Sequence, residues 1–97
     1  MKADQLKGKC MTINEEIISW REIDKEVVFL NKQEKSFYEL NKTAEIIWRQ
    51  LAKGGKLTQV ISQVQKKYKK VGKQDIERDV IAFIADGIKK KIFIVNK

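Results

Sequence analysis

The 97-residue chain has no histidine and no proline, a single cysteine and three arginines, Arg21, Arg49 and Arg78. Without histidine there is no side chain that ordinarily titrates near neutrality, no Ser-His-Asp triad and no His-ligated metal. With Cys10 alone, neither an internal disulfide nor a Cys-rich zinc site can form. Cys10 also has no histidine to activate it, so it reads as a bystander and not a nucleophile. The five glycines, Gly8, Gly54, Gly55, Gly72 and Gly87, match neither a dinucleotide fingerprint nor a phosphate loop. Carboxylates are scattered without a catalytic pair, and Asp75, Glu77 and Asp79 read as charges at a helix start. No apolar run approaches the roughly 18 residues that span a bilayer. The opening Met1–Cys10 stretch, MKADQLKGKC, lacks the apolar core of a secretory signal. The expectation is a cytoplasmic domain that is no enzyme and holds no metal or cofactor, with its function in a surface.

What is abundant is lysine. Lys plus Arg number 21 against 13 Asp plus Glu, a formal charge of +8. Lys66, Lys67, Lys69, Lys70 and Lys73 crowd one stretch and Lys89, Lys90 and Lys91 another. Such runs attract polyanions, or they are solvated helix ends that favour the helix dipole. Apolar residues at 42% and charged residues at 35% fit one small globular domain.

Met1 to Asn14 is polar and weakly patterned and reads as a loose N-terminal arm ahead of a domain over 15–97. Ile17–Ile23 (IISWREI), Glu26–Asn31 (EVVFLN) and Ser36–Leu40 (SFYEL) are rich in β-branched and aromatic residues. They are joined by Asp24-Lys25, at hairpin length, and by Lys32–Lys35, which predicts a three-stranded antiparallel meander. Asn41 is a good N-cap for a helix over 43–53, which carries Ala44, Ile47, Trp48 and Leu51 on one stripe. Gly54-Gly55 stops it. Thr58 is placed to cap a second helix over 59–70, with Val60, Ile61, Val64 and Tyr68 inward. A third helix over 74–90 has Ile76, Val80, Phe83, Ile84 and Ile88 as its apolar stripe. Ile92–Val95 (IFIV) closes the chain as a short strand or an apolar tail. The expected fold is α+β and winged helix-turn-helix-like: a three-stranded antiparallel sheet followed by three helices.

In such a meander the third strand is an edge. Ser36–Leu40 has no proline and one charge, so little guards its unpaired N–H and C=O groups. Tyr38 and Leu40 share one face and Phe37 and Glu39 the other. An open edge beside a helix is a peptide groove, in which backbone pairing supplies affinity and pockets supply specificity. Alternatively, Ile92–Val95 folds over that edge and closes it.

Tyr38–Trp48 reads Y-x-L-N-x-T-A-x-x-I-W. This string resembles the central signature of the PqqD family. Trp20–Ile23 with Glu26–Leu30 is similar to the family's opening hairpin, Leu57–Tyr68 to its second helix, and Asp79–Ile84 (DVIAFI) to its third. The likeness runs from about Ile17 to Phe93. It implies a recognition element for the leader of a ribosomally made, modified peptide. The leader would add as an antiparallel strand to the third strand, between that strand and the third helix. On this reading Ser36, Phe37, Tyr38, Glu39 and Leu40 bind on the strand and Asp79, Phe83 and Asp86 on the helix. Phe83 would floor an apolar pocket, while Asp79 and Asp86 orient polar leader groups. Leu40, Ile47 and Trp48 would be core and Asn41 a cap. The implied partners are a precursor leader peptide and a separate maturation enzyme, with the leader protease of a lasso-peptide pathway as one choice. Membrane is not among the implied partners, and nucleic acid belongs to the alternative reading.

That alternative is a winged-helix DNA-binding protein. The charge and the three helices permit it, and Gln59, Gln63, Lys66, Lys67 and Lys70 lie on the second helix. Three arginines are few for base readout. Under the peptide reading, surplus lysine would steer either an acidic leader or an acidic partner enzyme.

Overall fold

Asp24 and Lys25 both carry positive φ, 51° and 70°. Positive φ at both central residues is the mark of a type I′ turn, whose twist suits a two-residue hairpin. The turn joins β2 (Ile18–Ile23) to β3 (Glu26–Asn31) in the register Ile23 with Glu26 through Ile18 with Asn31. A longer turn follows, in which the Asn31 side-chain oxygen accepts from the N–H groups of Gln33 and Glu34 at 3.0 and 3.1 Å. It returns the chain as β4 (Ser36–Glu39), antiparallel to β3. These elements belong to a computed structural model that describes residues 8–96.

Three helices follow the sheet: α1 (Lys42–Ala52), α2 (Leu57–Lys67) and α3 (Lys73–Lys89). The α+β architecture is the one expected. Asn41 caps α1 as read, its side-chain oxygen accepting the Ala44 N–H at 2.8 Å. Gly54, at φ 78°, ends it in the left-handed conformation that a β-carbon disfavours. Helix α2 begins two residues earlier than its pattern suggested, so Thr58 is inside it and not its cap. Burial of Leu57 favours the early start, and the Gln59 side chain accepts the Lys56 N–H at 3.0 Å. The helix also ends sooner, with Tyr68 as its C-cap.

Residues 10–13, read as part of a loose arm over 1–14, form β1 (Cys10–Ile13). Residues 1–7 of that arm lie outside the described residues. Strand β1 pairs antiparallel with β5 (Phe93–Asn96), Ile13 opposite Phe93 and Cys10 opposite Asn96. Met11 and Ile13 are buried, and burying such side chains is worth about 1.5–3 kcal/mol each. That gain orders a segment whose composition looked featureless. The Asn14 N–H adds a 2.8 Å bond to Ile92 O.

This pairing decides the question left open by the sequence. The C-terminal segment goes to β1, and the three-stranded sheet keeps the order β2-β3-β4. Among the described residues, no strand pairs with the outer side of β4.

One carboxylate ties the sheet to the helices. Glu45, buried in α1, accepts the Val27 N–H at 2.8 Å. Val27 O takes the Leu40 N–H, the last rung of the β3–β4 ladder. Glu45 thus satisfies a β3 donor where β4 has already turned into α1. We expect Glu45→Ala to destabilise the fold by about 1–3 kcal/mol, the cost of a buried unpaired donor. Glu45→Gln, which retains an acceptor, should recover part of it; urea denaturation of the three proteins measures both.

Candidate functional site

The ladder fixes which main-chain groups β4 offers outward. Leu40 donates to β3, and in an antiparallel pair alternate residues point their N–H and C=O to opposite sides. Tyr38 and Ser36 therefore turn toward β3, while Phe37 and Glu39 present theirs along the open edge. An incoming antiparallel strand would find two donors and two acceptors there.

Beside this edge runs a groove of about 210 Å³ between β4 and α3. Tyr38, Glu39 and Leu40 line the strand side, with Glu34 from the preceding turn. Phe83, Asp86, Gly87 and Lys90 line the helix side. The floor is an arc of rings. Tyr38 stacks on Phe29 at 4.9 Å and Phe29 on Trp48 at 4.7 Å. Trp48 meets Phe93 edge-on at 5.6 Å, and Phe93 lies 5.8 Å from Phe83. Offset and edge-on ring pairs of this kind are each worth about 0.5–1.5 kcal/mol beyond burial, so the floor is built before any ligand arrives. Trp48 Nε1 is buried beneath it with no hydrogen-bond partner among the described residues.

The rim is polar. The Tyr38 hydroxyl donates to Glu34 Oε1 at 2.9 Å, and Lys90 Nζ pairs with Asp86 Oδ2 at 3.1 Å. The hydrogen bond to Glu34 is the main cause of a raised Tyr38 pKa; partial desolvation and the Glu34 charge add to it, and Lys90 opposes it. Lys90 is raised too, first by its bond to Asp86. Both groups hold their protons at neutral pH; Lys90 has further N–H donors for a peptide, while the single Tyr38 proton is engaged by Glu34.

Of the residues the sequence singled out, Tyr38, Glu39, Leu40, Phe83 and Asp86 meet at this groove. Ser36 opens β4, its hydroxyl donating to Glu34 O at 3.4 Å. Phe37 contributes main chain to the edge, but its ring lies on the opposite face of the sheet, 78% exposed. There it borders a shallow depression with Arg21, Ile23 and Val28. Asp79 does not line the groove. It is exposed one turn before Phe83, 3.7 Å from Arg78. The sequence reading missed Gly87 and Lys90, although spacings of four and seven from Phe83 put both on its face of the helix. It also missed Glu34, for which a turn residue carries no such signal, and Phe93, which reaches the floor only through the β1–β5 pairing.

Among the described residues, no group of His, Cys, Asp or Glu is arranged to hold a metal ion, and no helix is long and apolar enough to cross a membrane.

Two solved structures share the fold. One is TbiB1 in complex with the TbiA(beta) leader peptide, with TM-score 0.74 and 24% identity over 84% of this chain and 93% of that one. The other is lasso peptide synthetase B1 complexed with the leader peptide, with TM-score 0.71 and 24% identity over 87% and 96%. No curated protein sequence matches the chain. The profile of coenzyme PQQ synthesis protein D covers residues 26–92, from the start of β3 to the residue before β5, and by that match over most of its length the chain belongs to the PqqD family.

Proposed function

We propose that this protein captures the leader segment of a ribosomally synthesised precursor peptide by β-strand addition to β4 and presents it to a separate maturation enzyme. The observation that carries the reading is the unpaired outer edge of β4 lying against an aromatic-floored groove. Main-chain bonds at Phe37 and Glu39 would hold any extended segment. Every second side chain of that segment would then drop onto the floor between Tyr38 and Phe83, and this supplies selection. Phe83 and Asp86 act from the helix side as the family resemblance implies, joined by Gly87 and Lys90.

The chain would supply binding and positioning with no chemistry of its own, in the cytoplasm where precursor peptides are made. Both solved neighbours are complexes with leader peptides, and one is lasso peptide synthetase B1. We therefore place the protein in a lasso-type pathway, delivering the leader to its protease. Neither the family match nor these neighbours favour the winged-helix DNA-binding alternative.

Isothermal titration against the precursor encoded beside this gene tests the proposal. Binding at micromolar or tighter Kd is expected. No binding at tens of micromolar, alongside binding to unrelated duplex DNA, would reverse it. We further expect Tyr38→Asp and Phe83→Asp each to weaken binding at least about thirtyfold, roughly 2 kcal/mol. Each places a charge on the ring floor. Circular dichroism must show that both variants fold, since Tyr38 stacks on Phe29 and Phe83 on Phe93.

A further inference from the structure

The excess of positive over negative charge falls in one stretch of the chain. From Ile46 to Gln74 there is no Asp or Glu, against eight Lys and Arg. That stretch alone equals the formal +8 of the chain, and the remaining residues balance at thirteen of each sign. It comprises most of α1, all of α2 and the turn into α3. Arg49 is held by Glu22 at 2.8 Å, but the seven lysines, Lys53, Lys56, Lys66, Lys67, Lys69, Lys70 and Lys73, are exposed. None of them takes part in an ion pair among the described residues.

This pole is shaped as well as charged. Thr58, Ile61, Ser62, Gln65, Lys66, Lys69 and Lys73 line a concavity of about 570 Å³, and it shares no lining residue with the β4 groove. The turn that carries the lysines is braced. Gln65 Nε2 donates to Val71 O at 3.0 Å and to Tyr68 O at 3.3 Å, so Lys69 and Lys73 extend from a held backbone. The two carbonyls also set the amide's orientation, which leaves Gln65 Oε1 buried in that wall with no partner among the described residues.

We infer that this concavity docks an acidic segment of a protein partner, at a site distinct from the β4 groove. Carboxylates meet Lys66, Lys69 and Lys73, and apolar groups lie along the lysine stems and Ile61. The leader is not the occupant that this charge selects, because the groove rim itself carries Glu34, Glu39 and Asp86 against Lys90. Nucleic acid fits less well. Helix-turn-helix readers insert the N-terminal part of a convex recognition helix, whereas these lysines follow the C-terminal end of α2 around a hollow. No arginine lines the hollow. The inference does not rest on leader capture, and its failure leaves that reading intact.

The test is amide NMR of the full chain at about 50 mM salt, where screening is modest. The probes are a glutamate-rich peptide of about a dozen residues, a DNA duplex of matched charge, and phosphatidylglycerol vesicles. With the glutamate peptide, shifts over Thr58–Lys73 and none in β4 are expected. The triple variant K66Q/K69Q/K73Q should weaken binding at least tenfold, and K9Q/K42Q/K89Q, which loses equal charge elsewhere, less than threefold. Shifts centred on β4, equal losses in both triple variants, or tighter binding to duplex or vesicle would each overturn the inference. The shift map of the unsubstituted chain locates the site without relying on any variant.

Discussion

Phe37→Pro is expected to cripple leader capture while the domain stays folded, and Phe37→Ala is expected to leave both capture and fold intact. The reasoning is geometric. The Phe37 N–H points away from β3, so proline at this position removes no bond of the sheet, and edge strands tolerate proline where the missing N–H faced solvent. What proline removes is one of the donors offered to an incoming strand, and its ring occupies the space that strand would enter. One lost hydrogen bond is worth about 0.5–1.5 kcal/mol. The steric block adds to this, so a loss of at least about thirtyfold in affinity is expected. The alanine variant deletes the exposed ring on the far face and keeps the N–H, so its Kd should stay within about threefold. Calorimetry with thermal melts reads both quantities. Equal loss in the two variants would show that the ring, not the main chain, holds the ligand, and strand addition would fail as the mode of capture. Tyr38→Pro is the contrast, since it breaks the β3 ladder and should unfold the hairpin.

Gly87→Val is expected to lower the Tm by roughly 10 °C or more and to impair the groove together with the fold. A glycine within a helix ordinarily costs about 1 kcal/mol relative to alanine, so propensity alone predicts a gain on substitution. Packing reverses the sign. A β-carbon at Gly87 would lie 2.3 Å from Phe93 Cδ2 and 2.4 Å from Cε2. Carbon pairs settle at about 3.5–4.0 Å. The Phe93 ring is buried between Trp48 and Phe83 and cannot turn aside without opening the aromatic floor. Overpacking of this kind costs about 1–3 kcal/mol, and a β-branched side chain sits at the upper end. Gly87→Ala gives the cleaner sign test: a Tm above that of the parent would mean that helix propensity wins and the ring is free to move.

Residues near one another in sequence carried most of the correct expectations. The two-residue hairpin loop at Asp24-Lys25, the Asn41 cap and the Gly54 stop are each decided within a few residues. The helical stripes follow a period that a single segment displays. Tyr38, Leu40 and Phe83 came together because pleat alternation and helix phase point them to one space. Asp79 shares the helix phase of Phe83 but lies outside the groove's lining, because phase gives direction around a helix and not position along it. Strand β4 is four residues long, and its groove meets the C-terminal turns of α3 from Phe83 to Lys90. Phe37 was expected among the binding residues of the strand; its main chain lies on the open edge, while its ring is exposed on the opposite face.

Sequence alone thus determined the order of the three meander strands and the three helices, the exclusion of histidine chemistry and of an internal disulfide, and the presence of an unguarded strand at Ser36–Leu40. Only the tertiary structure decided whether that strand remains available. Two short apolar segments at opposite ends of the chain, Cys10–Ile13 and Phe93–Asn96, satisfy each other's hydrogen bonds and bury Met11, Ile13 and Phe93. Pairing between segments some eighty residues apart depends on contacts that no local pattern encodes. It draws the C-terminal residues away from β4, and the same folding gathers the surplus lysines around the far end of α2.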